Sequence, residues 1–193
     1  MAYTSKEPEA VEGAKKALKN LDIDLKSPHF EDTPQRWVKY LQEYLRPYDP
    51  AWDLCKCFPV EDNFHAMVVQ GNIPFTAICA HHLVPFLGKA HIGYVPRDHV
   101  VGLSKLTRVT HGIAHRTPSV QEEICDQIAD ALMAHLQPAG AIVVIQAEHG
   151  CMACRGVTQA GVVTSSSSVR GVFRDVPHAR QEFFELLRLQ EAH

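Results

Sequence analysis

Cys79-Ala80-His81-His82 sets a thiol and an imidazole three positions apart, close enough for one turn of chain to grip a metal ion. Far downstream, His149-Gly150-Cys151-Met152-Ala153-Cys154-Arg155 offers another thiolate in Cys151. Thiolate and imidazole together suit zinc. A set of Cys79, His82 and Cys151 leaves a fourth position for water, whose pKa a metal lowers towards neutrality. His81 and His149 flank these ligands and would move protons near physiological pH. The competing arrangement is a closed structural site, because Cys154 completes a C-x2-C pair with Cys151. Such a site has no use for the two flanking histidines.

A second group is Gly102-Leu103-Ser104-Lys105, with Arg108 one turn beyond Ser104. It lacks the spacing of a Walker loop. A serine at a helix start nonetheless combines free backbone amides with two cations, which is a sound seat for an anion. Arg36 and Lys39 share one face of an earlier helix; each by itself reads as a solvated surface charge. Val120-Gln121-Glu122 opens another helix. A carboxylate beside an amide can pair with the edge of a guanine-like ring, although acidic residues are favoured in a first helical turn anyway.

Positioning these groups requires both helices and strands. Glu9 to Leu25 reads as a helix with Val11, Ala14, Leu18 and Leu21 on one face. Asp32-Thr33-Pro34 signals the start of a second helix, which carries Trp37, Leu41 and Leu45 and should stop before Pro47. His65 to Val69 and Gly88 to Val95 read as strands. Ser104 to His115 and Ser119 to Leu136 read as helices, Ala141 to Ala147 and Thr164 to Phe173 as strands, and Val176 to Leu189 as a closing amphipathic helix. That order indicates an α+β protein, with a four-stranded antiparallel sheet, two helices on one face, an N-terminal helical arm over 1–62 and the remainder over 63–193. Four strands leave two open edges, a liability that oligomerisation would remove.

The chain has 193 residues, 46% of them hydrophobic and 21% charged, ample for a proper core. A net charge of -3 without any block of like charge gives no footprint for a nucleic-acid partner. The polar stretch from Met1 to Gly13 and the shortness of runs such as Ala141 to Ile145 argue against a signal region or membrane span. The expectation is a cytoplasmic protein, whose six cysteines serve thiol or metal chemistry instead of a disulfide framework. Cys55 and Cys57, in the connecting segment, and His91 and His135 read as bystanders and not as ligands.

Taken together, the motifs resemble GTP cyclohydrolase I. They are Asp32-Thr33-Pro34-Gln35-Arg36, Cys79-Ala80-His81-His82-Leu83-Val84-Pro85-Phe86, Gly102-Leu103-Ser104-Lys105, Val120-Gln121-Glu122 and His149-Gly150-Cys151-Met152-Ala153-Cys154-Arg155-Gly156-Val157. They run in the family's order, and the similarity extends from about residue 9 to 189. The resemblance implies the tunnelling fold, in which small sheets from several subunits close into a barrel, and a homo-oligomer, typically a decamer, with active sites between subunits. It implies Zn2+ on Cys79, His82 and Cys151, with His81 and His149 handling protons and Ser104 at the ribose end. Glu122, with Gln121 nearby, would read guanine. Leu103, Lys105, Arg108 and Arg155 would bind GTP, joined by Arg36 and Lys39 from a neighbouring subunit. The implied reaction is hydrolytic opening of the guanine imidazole ring, loss of formate and rearrangement to 7,8-dihydroneopterin triphosphate.

The chain departs from the family pattern at four places: Ala80 replaces a polar residue, His115 to Ser119 is one residue longer, Cys154 is unusual, and Ser165 to Ser168 replaces a threonine-rich stretch. These differences leave room for a cyclohydrolase with another purine substrate or an arrested reaction, and for a non-catalytic purine or pterin-binding module with structural zinc. A nitrile reductase of related fold would need a nucleophilic cysteine and NADPH, and the histidine-rich ligand pattern fits it poorly.

Overall fold

A computed structural model describes residues 6–45, 48–54, 56–60 and 66–191. Cys55, His65 and the expected boundary between 62 and 63 lie outside the described residues. The chain divides into two compact units, Met1–Arg46 and Pro47–His193.

The first unit pairs α1 (Glu7–Asn20) with α2 (Thr33–Glu43) around Val11, Ala14 and Val38. Helix α1 stops five residues before Leu25, because Asp22 turns the chain with a φ of 59°. Pro34 sits in the first turn of α2, where the missing N–H costs nothing. Asp32 precedes it without capping through its side chain; the carboxylate accepts from Arg36 Nη2 at 3.0 Å instead.

The second unit is built on a four-stranded antiparallel sheet in the order β2-β3-β5-β6. Its strands are β2 (Val68–Ile78), β3 (Pro85–Val95), β5 (Gly140–His149) and β6 (Val163–Gly171). Two short elements precede it, α3 (Ala51–Leu54) and β1 (Cys57–Pro59), and β1 pairs separately with β4 (His99–Val101). Helices α4 (Leu103–Ala114) and α5 (Gln121–Leu136) pack on one face of the sheet. Alternation along β5 explains both layers: Ala141, Val143, Ile145 and Ala147 face the α4–α5 core, while Ile142 and Val144 face the other side. That second side is covered by α7 (Val172–Asp175) and α8 (Pro177–Glu191) through Phe173, Phe183 and Leu187.

Strand β2 differs most from the sequence expectation. It begins three residues after His65 and runs nine residues past Val69, through Gly71, Asn72 and Pro74. These residues usually break a strand. Here a bulge between Gln70 and Ile73 absorbs Gly71 and Asn72, with Asn72 at a φ of 56°. Pro74 is tolerated because β2 is an edge strand. The consequence is functional: β2 delivers the chain directly to Cys79.

Candidate active site

The site forms where β2, β3 and β5 end together. After Ile78 the chain doubles back within one tight turn, Cys79 N donating to Val84 O at 3.0 Å and Leu83 N to Cys79 O at 2.9 Å. Leu83 takes the left-handed conformation at a φ of 53° to close it. This costs about 1 kcal/mol for a residue with a Cβ. The turn is clamped from outside by Ser119, whose N–H donates to Ile78 O at 2.9 Å and whose carbonyl accepts from Ala80 N at 3.0 Å. Ser119 Oγ also donates to Glu123 Oε2 at 2.9 Å. The start of α5, with Gln121 and Glu122, is thereby tied to the turn carrying Cys79 and His82.

Cys151 reaches the same place from β5. His149 is paired with Phe86, and α6 (Gly150–Ala153) turns directly over the start of β3. Gly150 permits this approach, since a Cβ there would meet Pro85 O at 2.5 Å and Val84 Cγ1 at 2.8 Å. Ligand atoms of Cys79, His82 and Cys151 lie within 4.8 Å of one another. Donors about 2.0 to 2.3 Å from one tetrahedral ion lie about 3.3 to 3.8 Å apart, so the set can close on a divalent metal with a contraction of about 1 Å. Cys79 is buried, Cys151 half-buried and His82 exposed, which leaves one side open. Burial and the neighbouring Cys79 sulfur hold the Cys151 thiol above its usual pKa. A cation between the sulfurs would reverse that preference. Among the described residues Cys154 does not join the group, and it is exposed.

Both flanking histidines stand beside the ligands. His81 Nδ1 lies 3.9 Å from Cys79 Sγ. His149 stacks on Phe86 with ring centroids 4.6 Å apart and planes 8° from parallel. Its Nε2 lies 2.9 Å from Gln121 Oε1. Gln121 is only 1% exposed, and its amide nitrogen faces Ile145 O at 3.0 Å, Thr164 O at 3.1 Å and Ser166 Oγ at 3.0 Å. Two backbone carbonyls can only accept, so the nitrogen of the amide must point at them and the oxygen at His149. His149 Nε2 therefore carries hydrogen, and Nδ1 is the nitrogen that gains and loses a proton. Burial pushes the His149 pKa below its ordinary value, partly opposed by the Glu122 carboxylate.

Gln121, expected near the substrate edge, stands at the start of α5 with its amide nitrogen hydrogen-bonded to Ile145 O and Thr164 O. Glu122, next along, is exposed. Arg155 is exposed just beyond α6, near enough to Cys151 to favour its thiolate.

The other cationic group opens α4. Leu103 and Ser104 are exposed in the first turn; Gly102, not Ser104, occupies the cap position. Lys105 is mostly buried and Arg108 is exposed, and both face Asp53 of α3. Arg36 and Lys39 are exposed on α2 of the first unit. Phe86, Ser119 and Asp53 were not legible as site residues, since a buried aromatic, a loop serine and a lone acid carry no spacing signal.

Fold and site together define an α+β protein with a Cys-His-Cys group able to hold a metal ion at the end of an antiparallel sheet. The chain belongs to the GTP cyclohydrolase I family, whose sequence profile matches residues 10–188. It is 40% identical over 178 residues to GTP cyclohydrolase 1 of a Hydrogenobaculum species, covering 92% of this chain and 96% of that one. It is 46% identical over 161 residues to GTP cyclohydrolase 1 of Pelotomaculum thermopropionicum, covering 82% and 84%. GTP cyclohydrolase 1 of Dictyostelium discoideum is 45% identical over 157 residues, covering 81% and 67%. Archaeosine synthase QueF-Like in its apo form overlaps 54% of this chain and 93% of its own at a TM-score of 0.45 and 13% identity, a loose likeness that says nothing about the chemistry of this site.

Proposed function

We propose that the chain hydrolyses GTP at the guanine imidazole ring, releases formate and forms 7,8-dihydroneopterin triphosphate. The observation that carries this reading is the open Cys79–His82–Cys151 set with His149 held beside it by Gln121. A zinc ion on these ligands would supply Lewis-acid activation of water for attack at carbon 8 of the purine. Carbon 8 becomes electrophilic only when nitrogen 7 is protonated, and His149 Nδ1 is the group poised to give that proton. A pKa lowered by burial makes the imidazolium the stronger acid. His81, on the exposed side of the turn, relays protons in the later steps.

Glu122 reads the guanine edge, and Gln121 serves by fixing the ring and tautomer of His149. Ser104 and Leu103 meet the ribose end, with the triphosphate on Lys105, Arg108 and Arg155. Arg36 and Lys39 join from a neighbouring subunit in a homo-oligomer, a decamer by family precedent. Holding base and triphosphate together keeps the opened intermediate in place through several steps. Among the described residues no helix is long and apolar enough to cross a membrane. We place the protein in the cytoplasm, where reducing conditions preserve free thiols such as Cys79 and Cys151.

Incubation of zinc-loaded protein with GTP tests the reading. Formate together with a pterin that fluoresces after oxidation is expected. Formate alone would mean a reaction arrested after ring opening. Neither product, from protein retaining its zinc, would contradict the assignment of GTP as substrate.

A further inference from the structure

Asp53 stands against the two cations of α4 and takes no part in the proposed chemistry. Its Oδ1 accepts from Lys105 Nζ at 3.2 Å and lies 3.8 Å from Arg108 Nη1. Its Oδ2 accepts from the Tyr48 hydroxyl at 3.2 Å. The Asp53 and Lys105 side chains are 16% and 17% exposed, whereas Arg108 is 63% exposed. A surface pair would be worth little, but this one is largely withdrawn from water and anchored at both carboxylate oxygens.

The anchor is itself fixed. Leu54, the next residue, is fully buried in the α4–α5 core. The Tyr48 ring lies directly against Gly112, two turns further along α4, where a Cβ would collide with it. Burial, reinforced by the Asp53 carboxylate, holds the Tyr48 hydroxyl protonated well above its ordinary pKa, so it remains a donor. Asp53 is thus tied to the same helix that carries Lys105.

We propose that Asp53 is a positioning residue for triphosphate binding: it holds the Lys105 ammonium at the open end of α4 before the substrate arrives. A lysine in solution samples many rotamers, and that freedom is lost on binding. Lys105 has lost most of it already. An ammonium has three N–H groups, so one stays on Asp53 while two face the phosphates. Arg108, farther away and exposed, keeps its full freedom to follow the substrate. The carboxylate also places one negative charge near an anion site. The arrangement trades some attraction for geometry. This inference rests on the reading of Lys105 and Arg108 as triphosphate ligands.

The test measures binding of inorganic triphosphate by calorimetry, and KM and kcat for GTP, in zinc-loaded parent, Asp53→Ala, Asp53→Asn and Lys105→Ala proteins. Asp53→Ala is expected to weaken triphosphate binding by about tenfold, the usual effect of one hydrogen bond to a charged group, with the loss falling on KM more than on kcat. Asp53→Asn keeps an acceptor for Lys105 and a polar partner for Tyr48, so it should bind as tightly as the parent or more tightly. Triphosphate binding in Asp53→Ala equal to or tighter than the parent's would overturn the proposal, since the carboxylate would then be only a competing anion. Equal losses in Ala and Asn variants with lowered melting temperatures would overturn it as well, leaving Asp53 a structural residue. A parent that binds no triphosphate would instead remove the phosphate seat itself. If Lys105→Ala weakens binding and Asp53→Ala does not, the seat stands and only the role of Asp53 falls.

Discussion

Single residues at this site act through what fixes them. Gln121 illustrates this best: two backbone carbonyls orient its amide, the amide orients His149, and in the proposed reaction that orientation would decide which nitrogen handles protons. Gln121→Ala should therefore retain metal yet lose turnover by about 10- to 100-fold, the usual cost of disordering a proton-transfer group. Metal analysis beside formate release checks it. Gln121→Glu would place a carboxylate among two carbonyls and should be destabilising, visible as a lower melting temperature. Cys79 and His82 were legible because they have metal spacing, and Cys151 as a further thiolate far along the chain; the fold brings the three together. The role of Gln121 was not, because its partners lie 24 and 43 residues away on β5 and β6.

Cys125 shows the same scale acting on stability. Its thiol is buried against Val143 O, and burial pushes its pKa from 9.0 up to about 12. The folded thiol keeps its proton where the unfolded one gives it up. Its contribution is therefore complete below about pH 9 and is lost as pH rises towards 12. Urea midpoints should fall more between about pH 8 and pH 10.5 in the parent than in Cys125→Ala, the difference isolating this one group.

At the scale of elements, the site depends on three strand ends and two close approaches. Gly150 lets α6 cross the start of β3, and the obstruction to a side chain there is the rigid backbone at Pro85. Gly150→Ala should shift Cys151 away from Cys79 and lower zinc affinity by at least about tenfold, as displaced ligands do, with the sheet intact by circular dichroism. Gly112→Ala, on α4, gains helix propensity but drives into the Tyr48 ring; a net loss of about 1 to 2 kcal/mol in denaturant unfolding is expected. Helices α4, α5 and α8 were readable from apolar periodicity to within about two residues. Strand β2 was read only at its start, since a bulge and an edge-tolerated proline hide the rest of its eleven residues. The short pairing of β1 with β4 was missed for a different reason: three residues give no period to read.

For the whole molecule, the sheet ends at β2 on one side and β6 on the other, and both are long. Among the described residues neither edge has a further strand beside it, and long edges of that kind invite pairing with further copies. A native mass near ten times 21.5 kDa is expected by light scattering. A monomer with full activity would contradict the placement of Arg36 and Lys39 in a neighbour's site. The need to cover the edges was visible in the strand count; the number of copies came only from family resemblance, because edge pairing fixes no angle of closure by itself.

In the proposed reaction the Cys79–His82–Cys151 centre is catalytic, and His149 supplies chemistry beside it without holding the metal. The most direct measurement is zinc content and formate release determined together in Cys151→Ala and His149→Ala. Cys151→Ala is expected to lose both metal and activity, whereas His149→Ala keeps about one zinc per chain and loses turnover by at least about 100-fold. A His149→Ala protein that is fully active would contradict the claim.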